Sequence, residues 1–360
     1  MDINKLSLEE KIGQMFLVAY EENVITDELK TLIQDYKIGG IILYRKRFLE
    51  YKDLLKLIND LKDLNKNNPF PLFISIDQEG GRVNRLPKEI ENLKAPFHLA
   101  KNKDINLIKE ATKVTAQILK ETGYNMNFAP VLDIKNFEET HSIGDRCYGE
   151  NAENVSKFGI TAMKEFQHNG IIPVVKHFPG HGATKIDSHF FLPIITKKKE
   201  LLEKEDMACF KNAILNGANS IMVGHLLATK IDKLYPASLS KKFIKNILRE
   251  KYKFNGVIIT DSFKMLAIKL LYGEKNAVKK AIRAGNDILM LKYTIKKEIE
   301  CINYTKKLVL NNKISITDIN NSVSRIITLK EKYALTNEHS NGTNINHANE
   351  IIKKINSSIS

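Results

Sequence analysis

The segment GVIITD, residues 256–261, contains four β-branched residues in succession and then an aspartate. Such a run is typical of a strand that is covered on both faces, as in a parallel sheet. Seven similar runs occur along the chain: QMFLVAY (14–20), GGIILY (39–44), LFISID (72–77), NFAPVLD (127–133), IPVVKH (172–177), SIMVGH (220–225) and DILML (287–291). Together the runs predict a buried parallel sheet.

Segments with helical spacing lie between most of these runs. Examples are DINLIKEATKVTAQILKETG, ENVSKFGITAMKEFQHNG and KELLEKEDMACFKNAILNG. Strands that alternate with helices predict an α/β fold, and the simplest arrangement of eight such units is a single (β/α)8 TIM-type barrel. We expect the barrel to cover residues 1–335. Residues 336–360 are predicted to form a polar linker and a C-terminal tail, in which HANEIIKKI has helical spacing.

The composition is that of a globular protein, with 43% hydrophobic residues in 360 and no signature of disorder. The net charge is +14, but the lysines are spread and mixed with acids, which indicates a solvated surface rather than a nucleic-acid footprint. No apolar stretch is long enough to span a bilayer, and no secretory signal is evident. Three widely separated cysteines suit a reducing compartment. We expect a cytoplasmic protein that lacks a membrane anchor and binds no nucleic acid; its oligomeric state is not determined by the sequence, and a monomer is favoured.

Several of the runs end in an ionisable residue: Asp77, Asp133, His177, His225 and Asp261. The carboxyl ends of the strands surround one mouth of a TIM barrel, where active sites lie. We therefore expect these side chains to converge, although an aspartate after a strand, taken alone, more often caps the next helix. A dinucleotide site is disfavoured because no G-x-G-x-x-G turn follows the first strand.

The segment KHFPGHGATKIDSH, residues 176–189, combines three histidines with glycines, a proline and an aspartate. A zinc site is disfavoured because neither H-E-x-x-H nor C-x-x-C spacing is present. A phosphate cradle lacks the G-x-x-x-x-G-K-[ST] spacing. The remaining interpretation is an acid/base pair, in which Asp187 sets the tautomer and basicity of His189. We therefore predict neither a metal nor a cofactor.

These motifs resemble the β-N-acetylglucosaminidases of glycoside hydrolase family 3. KHFPGHG followed by four residues and DSH resembles the signature of that family. Further matches occur in order between residues 5 and 335: LSLEEKIGQMF, IDQEGGRVNRL, NFAPVLDI, PASLS (236–240), GVIITDSF and AIRAGNDILM (281–290). Several spaced motifs that match in order are more specific than one short pattern.

The resemblance implies a role for each matching residue. Asp261 corresponds to the nucleophile, and His189 to the general acid/base with Asp187 as its partner. Sugar binding corresponds to Asp77, Arg85, Arg146, Lys176 and His177. The implied enzyme is a retaining exo-β-N-acetylglucosaminidase that removes terminal N-acetylglucosamine from peptidoglycan fragments during muropeptide recycling.

Other interpretations remain open from the sequence. Some relatives with the same dyad transfer the sugar to phosphate, and a β-glucosidase is disfavoured because such members lack D-S-H. An inactive carbohydrate-binding barrel is a further alternative from a different class. His181 is expected to hold the turn of its loop, while Asp133 and His225 could line the pocket or stabilise the barrel rim.

Overall fold

The structure is a computed structural model that describes residues 3–44, 50–135, 142–184, 192–264 and 266–359. The strands are β1 (Phe16–Tyr20), β2 (Gly40–Leu43), β3 (Phe73–Ile76), β4 (Met126–Asn127), β5 (Ile172–Pro173), β6 (Val175–Phe178), β7 (Ile194–Ile195), β8 (Ser220–Val223), β9 (Leu227–Ala228), β10 (Val257–Thr260) and β11 (Leu289–Leu291). Seven of the eight predicted runs coincide with strands, the fourth overlaps β4 only at Asn127, and β5 and β6 share one run, separated only by Val174.

The central strands pair in parallel and in chain order. One sheet has the order β11-β1-β2-β3-β4-β5, and a second has the order β10-β8-β6. Because β5 and β6 belong to one run, this run joins the two sheets. A parallel bridge between Ile259 and Ile288 links β10 to the residue that precedes β11. The order is that of the predicted (β/α)8 TIM-type fold, and the short pair β7-β9 lies outside it.

The fourth run differs from the prediction. We predict a strand over residues 127–133, but β4 ends at Asn127. Pro130 has no N–H to donate to a neighbouring strand. Parallel pairing resumes only as a single bridge between Val131 and Lys176. The residues between these points are irregular, and Asp133 follows them at the barrel mouth.

The helices are α1 (Leu8–Gln14), α2 (Asp27–Gln34), α3 (Tyr51–Asn65), α4 (Pro96–Lys101), α5 (Ile105–Thr122), α6 (Ala152–His168), α7 (Lys199–Lys204), α8 (Asp206–Leu215), α9 (Leu266–Tyr272), α10 (Glu274–Ala284), α11 (Ile295–Leu310), α12 (Ile316–Lys332) and α13 (Ile345–Ser357), with a π-helix at Lys242–Lys251. Gly123 ends α5 with φ at 106°, a left-handed conformation that glycine adopts readily. Residues 199–217, predicted as one helix, divide into α7 and α8 at Glu205. Among the described helices, none is long and apolar enough to cross a membrane.

The central sheet is covered on both faces. β2, β3, β6, β8 and β10 are buried along their whole length. Large aromatic side chains fill the space around them, including Phe16, Phe73, Phe128 and Phe178, which are fully buried. Polar groups of the sheet therefore reach solvent only at the ends of the strands, and this restricts where a site can form.

The last described residues pack on the outside of the barrel. α13 lies against α5, and Ile352, Ile355 and Ile359 are buried there. The amide of Asn356 donates to the carbonyl of Asn92 at 2.9 Å. These contacts attach the tail to the loop that precedes α4.

Candidate active site

A cavity of about 450 Å³ lies at the carboxyl ends of the strands. Six of the predicted site residues line it: Asp77, Arg85, Arg146, Lys176, His177 and Asp261. Asp77 directly follows β3, and Asp261 directly follows β10. The barrel therefore brings together side chains that lie far apart in the sequence, in a cavity of a size common for ligand sites.

A larger groove of about 660 Å³ lies between residues 229–242 and α10. Its lining contains one carboxylate, that of Asp232. This carboxylate already accepts the hydroxyl of Ser240 at 2.6 Å and the main-chain N–H of Leu234 at 3.0 Å. Because the described residues that line this groove include no second acidic group, they do not form the paired groups of an acid/base site, and the smaller cavity is the candidate active site.

Asp261 is the carboxylate at the end of β10, and it is partly exposed to the cavity. Its Oδ1 accepts the N–H of Ser262 at 2.7 Å. Burial raises the pKa of Asp261, but the charges that His177 and His225 carry at the acidic pH where Asp261 titrates, together with the Ser262 N–H and Lys176, outweigh burial, so the pKa lies below its ordinary value. Asp261 is therefore ionised at neutral pH, as a nucleophilic carboxylate must be.

Two carboxylates and two cations form a network beside Asp261. Lys176 Nζ lies 2.7 Å from Asp77 Oδ1 and 2.6 Å from Glu79 Oε1. Arg146 donates from Nε and Nη2 to the two oxygens of Glu79, each at 2.8 Å. Burial opposes the charge on Glu79, but Arg146 and Lys176 hold the pKa of this carboxyl far below its usual range. Glu79, Arg146 and Lys176 are therefore charged at neutral pH.

Glu79 is a site residue that the sequence reasoning missed. Its side chain is only 1% exposed, and it lies two residues after Asp77 in the DQEGGR segment. Alternating residues of an extended chain point to the same side, so this spacing could have indicated a second carboxylate in the cavity. Arg146, predicted to bind sugar, already holds Glu79 and the carbonyl of Ser142 at 3.0 Å.

Asp133 organises the two histidines of the KHFPGH turn. Its Oδ2 lies 2.7 Å from Nδ1 of His177, and its Oδ1 accepts the main-chain N–H of His181 at 2.7 Å. Burial raises the pKa of Asp133, but the charge and hydrogen bond of His177, together with those of His181, outweigh burial, so the pKa lies below its ordinary value and the carboxylate is ionised. Because Nδ1 of His177 is engaged by Asp133, Nε2 is the nitrogen that remains for a ligand.

Arg85 has an unused donor. Its main-chain N–H donates to Gln78 Oε1 at 2.8 Å, while Nε is buried without a hydrogen-bond partner in the part of the chain that is described. An unsatisfied buried donor is costly. Because Arg85 lines the cavity, a ligand there could satisfy it.

The predicted acid/base pair, Asp187 and His189, lies outside the described residues, so its role remains a prediction. The residues with described positions include no group of three His, Cys, Asp or Glu side chains that could hold a metal ion.

Comparison with known proteins supports a family assignment. Residues 7–329 match the model described as "Glycosyl hydrolase family 3 N terminal domain". "Beta-hexosaminidase A" of Pseudoalteromonas piscicida is 30% identical over 333 residues, covering 85% of this chain and 55% of that protein. "Beta-hexosaminidase" of Actinobacillus pleuropneumoniae serotype 5b is 32% identical over 283 residues, covering 77% and 80%. The chain thus spans about half the length of the first relative and most of the second.

Two solved structures are similar to this chain. The family 3 β-N-acetylglucosaminidase from Paenibacillus sp. superposes with a TM-score of 0.91 at 33% identity, covering 97% of this chain and 68% of that one. The β-N-acetylglucosaminidase from Thermotoga maritima superposes with a TM-score of 0.79 at 26% identity, covering 90% and 67%. Both similarities extend over nearly the whole barrel.

Proposed function

Because the chain belongs to glycosyl hydrolase family 3, we propose that it is a retaining exo-β-N-acetylglucosaminidase. The names of the related proteins, β-hexosaminidase and β-N-acetylglucosaminidase, support this substrate class. The observation that carries the proposal is the ionised carboxylate of Asp261, which lies at a strand end in a cavity lined by hydrogen-bond donors. A retaining glycosidase needs a carboxylate of this kind.

The proposed reaction has two steps. The Asp261 carboxylate attacks the anomeric carbon, and the bond from this carbon to the leaving oxygen breaks while His189 protonates that oxygen. A covalent glycosyl ester results. His189 then takes a proton from a water molecule, which attacks the same carbon and releases the sugar and the carboxylate. In this proposal Asp187 orients His189, and both assignments rest on the family resemblance.

The charged network is proposed to hold the sugar. Asp77 accepts hydrogen bonds from ring hydroxyls, and Lys176 and Arg85 donate to hydroxyl oxygens by charge-assisted bonds. His177 lines the same cavity, and its Nε2 is proposed to form a hydrogen bond with the sugar. Arg146 is proposed to act by holding Glu79 in place, and this keeps Lys176 extended toward the cavity.

We propose that the natural substrates are peptidoglycan fragments, so that the enzyme serves muropeptide recycling in the cytoplasm as a monomer. Lys264 and Arg85 line the cavity, and their positive charges suit the carboxylates that such fragments carry. Residues 1–335 are proposed as the catalytic unit.

The test is hydrolysis of aryl N-acetyl-β-glucosaminides with a good and a poor leaving group. Asp261→Ala should abolish turnover, whereas His189→Ala should lose most of its rate on the poor leaving group only, because that bond needs protonation. Asp318→Asn is the matched control, since Asp318 pairs with Lys245 on the surface, where both side chains are exposed. This variant should keep the wild-type rate.

Other outcomes would identify a different function. Sugar-1-phosphate formed in phosphate buffer would identify a phosphorylase, and faster cleavage of a glucoside would identify a β-glucosidase. A folded wild type without activity, or an Asp261→Ala variant at full rate, would refute the glycosidase proposal and leave a carbohydrate-binding barrel.

A further inference from the structure

His225 follows β8 and Gly224, and its ring contacts Ser262, the residue after Asp261. Its side chain is fully buried, and its ring stacks on Phe263 with centroids 5.4 Å apart and planes at 18°. His225 is not one of the described residues that line the active-site cavity. It therefore does not touch a sugar bound there, and any effect on the reaction must pass through its neighbours.

The partners of His225 determine its tautomer. Nε2 lies 3.2 Å from the carbonyl oxygen of Ser262, and Nδ1 lies 2.6 Å from the hydroxyl of Ser238. A carbonyl oxygen can only accept, so Nε2 carries the hydrogen and Nδ1 accepts the Ser238 hydroxyl. Burial lowers the pKa of His225, although the charge of Asp261 opposes this shift. A neutral ring with hydrogen on Nε2 is consistent with all of these contacts.

The contact to Ser262 matters because this residue also holds the proposed nucleophile. Its N–H donates to Asp261 Oδ1 at 2.7 Å, while its carbonyl oxygen faces His225. The Asp261 N–H in turn donates to the carbonyl of Val223 at 3.0 Å. Holding Ser262 at its carbonyl therefore limits the movement of the N–H that orients the carboxylate of Asp261.

Ser238 is anchored from a third segment. The amide of Asn286 donates to the carbonyl of Ser238 at 2.8 Å and to the carbonyl of Ala281 at 2.8 Å. Ser238 belongs to PASLS, and Asn286 belongs to AIRAGNDILM. These two motifs, to which the proposed reaction assigns no role, are thus connected through His225 to the segment that carries Asp261.

We propose that His225 is a positioning residue that, with Ser238, orients the Asp261 carboxylate by holding the peptide of Ser262. This inference rests on the proposed nucleophilic role of Asp261. It predicts an effect on turnover rather than on sugar binding, because a misdirected carboxylate leaves the Asp77–Lys176 pair, which is proposed to bind the sugar, in place. A small misplacement of a reacting group lowers the rate by up to about 100-fold.

Two pairs of variants test the inference. His225→Gln keeps a side-chain N–H near the position of Nε2, whereas His225→Leu removes it. Ser238→Thr keeps the hydroxyl, whereas Ser238→Ala removes it and is a milder change should His225→Leu fail to fold. The assay measures kcat and KM on an aryl N-acetyl-β-glucosaminide, and thermal melting confirms that each variant is folded.

We expect kcat to fall about 10- to 100-fold in His225→Leu and Ser238→Ala with KM within about threefold. The Gln and Thr variants should recover most of this loss. Wild-type kcat in a folded His225→Leu variant would overturn the inference, as would an equal loss in all four variants with a raised KM. The second result would mean a general disturbance of the pocket.

Crystal structures of the wild type and the His225→Leu or Ser238→Ala variant test the positioning without any turnover. We expect the Ser262 carbonyl and the Asp261 carboxylate to shift in the variant, and unchanged positions would overturn the inference. Failure of the glycosidase proposal has a different signature, which is full activity of Asp261→Ala or no activity in the wild type. The two proposals can therefore fail separately.

Discussion

Replacing Glu79 with Gln should destabilise the protein more than any change at the surface. The substitution preserves the size of the side chain and removes its charge. Glu79 is 1% exposed and Lys176 3% exposed at the side chain, so water does little to screen the charges. Arg146 contacts both oxygens of the same carboxylate. The buried Lys176 and the largely covered Arg146, which is 16% exposed, would therefore lose a common partner.

The expected loss of unfolding free energy depends on the partners that Lys176 and Arg146 retain in the variant. Removing one partner of a buried ion pair costs roughly 3–5 kcal/mol, because the other charge stays buried without compensation. Lys176 retains Asp77 at 2.7 Å, and Arg146 retains the carbonyl of Ser142 at 3.0 Å. We therefore expect the lower end of the range, about 3 kcal/mol of unfolding free energy at pH 7.

The effect also has a defined pH dependence. The pKa of Glu79 in the folded chain lies far below its value of about 4.3 in an unfolded chain. A depressed folded pKa contributes stability that is present above the unfolded pKa and is lost as the pH falls toward the folded pKa. The difference between wild type and Glu79→Gln should thus be constant from pH 6 to 8 and shrink below about pH 4.5.

Urea denaturation at several pH values measures this difference, and Glu298→Gln is the matched control. Glu298 is 1% exposed, and burial raises its pKa to about 7. In the folded chain its ionisation is unfavourable, so Glu298→Gln should be as stable as the wild type at pH 8 or more stable. A Glu79→Gln variant within 1 kcal/mol of the wild type, or equal effects of the two substitutions, would refute the reasoning.

Three further predictions concern other parts of the molecule. Burial lowers the pKa of Lys330 to about 7, so above this pH the unfolded chain binds a proton that the folded chain does not. From pH 7 to 10 the wild type should therefore gain stability over Lys330→Met by up to about 1.4 kcal/mol per pH unit, as measured by urea denaturation. An equal pH dependence of the two proteins would contradict this prediction. Removing residues 336–360 exposes apolar surface under α13 and should lower the unfolding free energy by on the order of 5 kcal/mol, while activity at low temperature remains. A truncated protein that loses activity without losing stability would contradict this prediction. Asp133→Asn weakens a charged hydrogen bond to His177 that is worth about 2 kcal/mol. If this energy is lost from transition-state binding, kcat/KM should fall about 30-fold. An unchanged kcat/KM would contradict the prediction.

The succession of strands could be predicted because their residues are covered on both faces and must be apolar throughout. VIIT before Asp261 is an example, and β10 occupies these four residues. The prediction was wrong where the backbone could not pair. Pro130 interrupts the fourth run, since it offers no N–H, and hydrophobicity alone does not reveal this. The break at Glu205 between α7 and α8 was likewise invisible to helical spacing.

The amino-acid sequence by itself determined the order of strands and helices, the family resemblance and the position of Asp261 at a strand end. These properties depend on local patterns along the chain, which periodicity and spaced motifs record. Only the tertiary structure decided which charges meet, because each pairing depends on distances between segments remote in sequence. Two examples are the Glu79 carboxylate, which Lys176 and Arg146 share, and the Ser262 carbonyl, which accepts a hydrogen bond from His225. In a buried site such contacts determine which groups are ionised and which nitrogen carries a hydrogen.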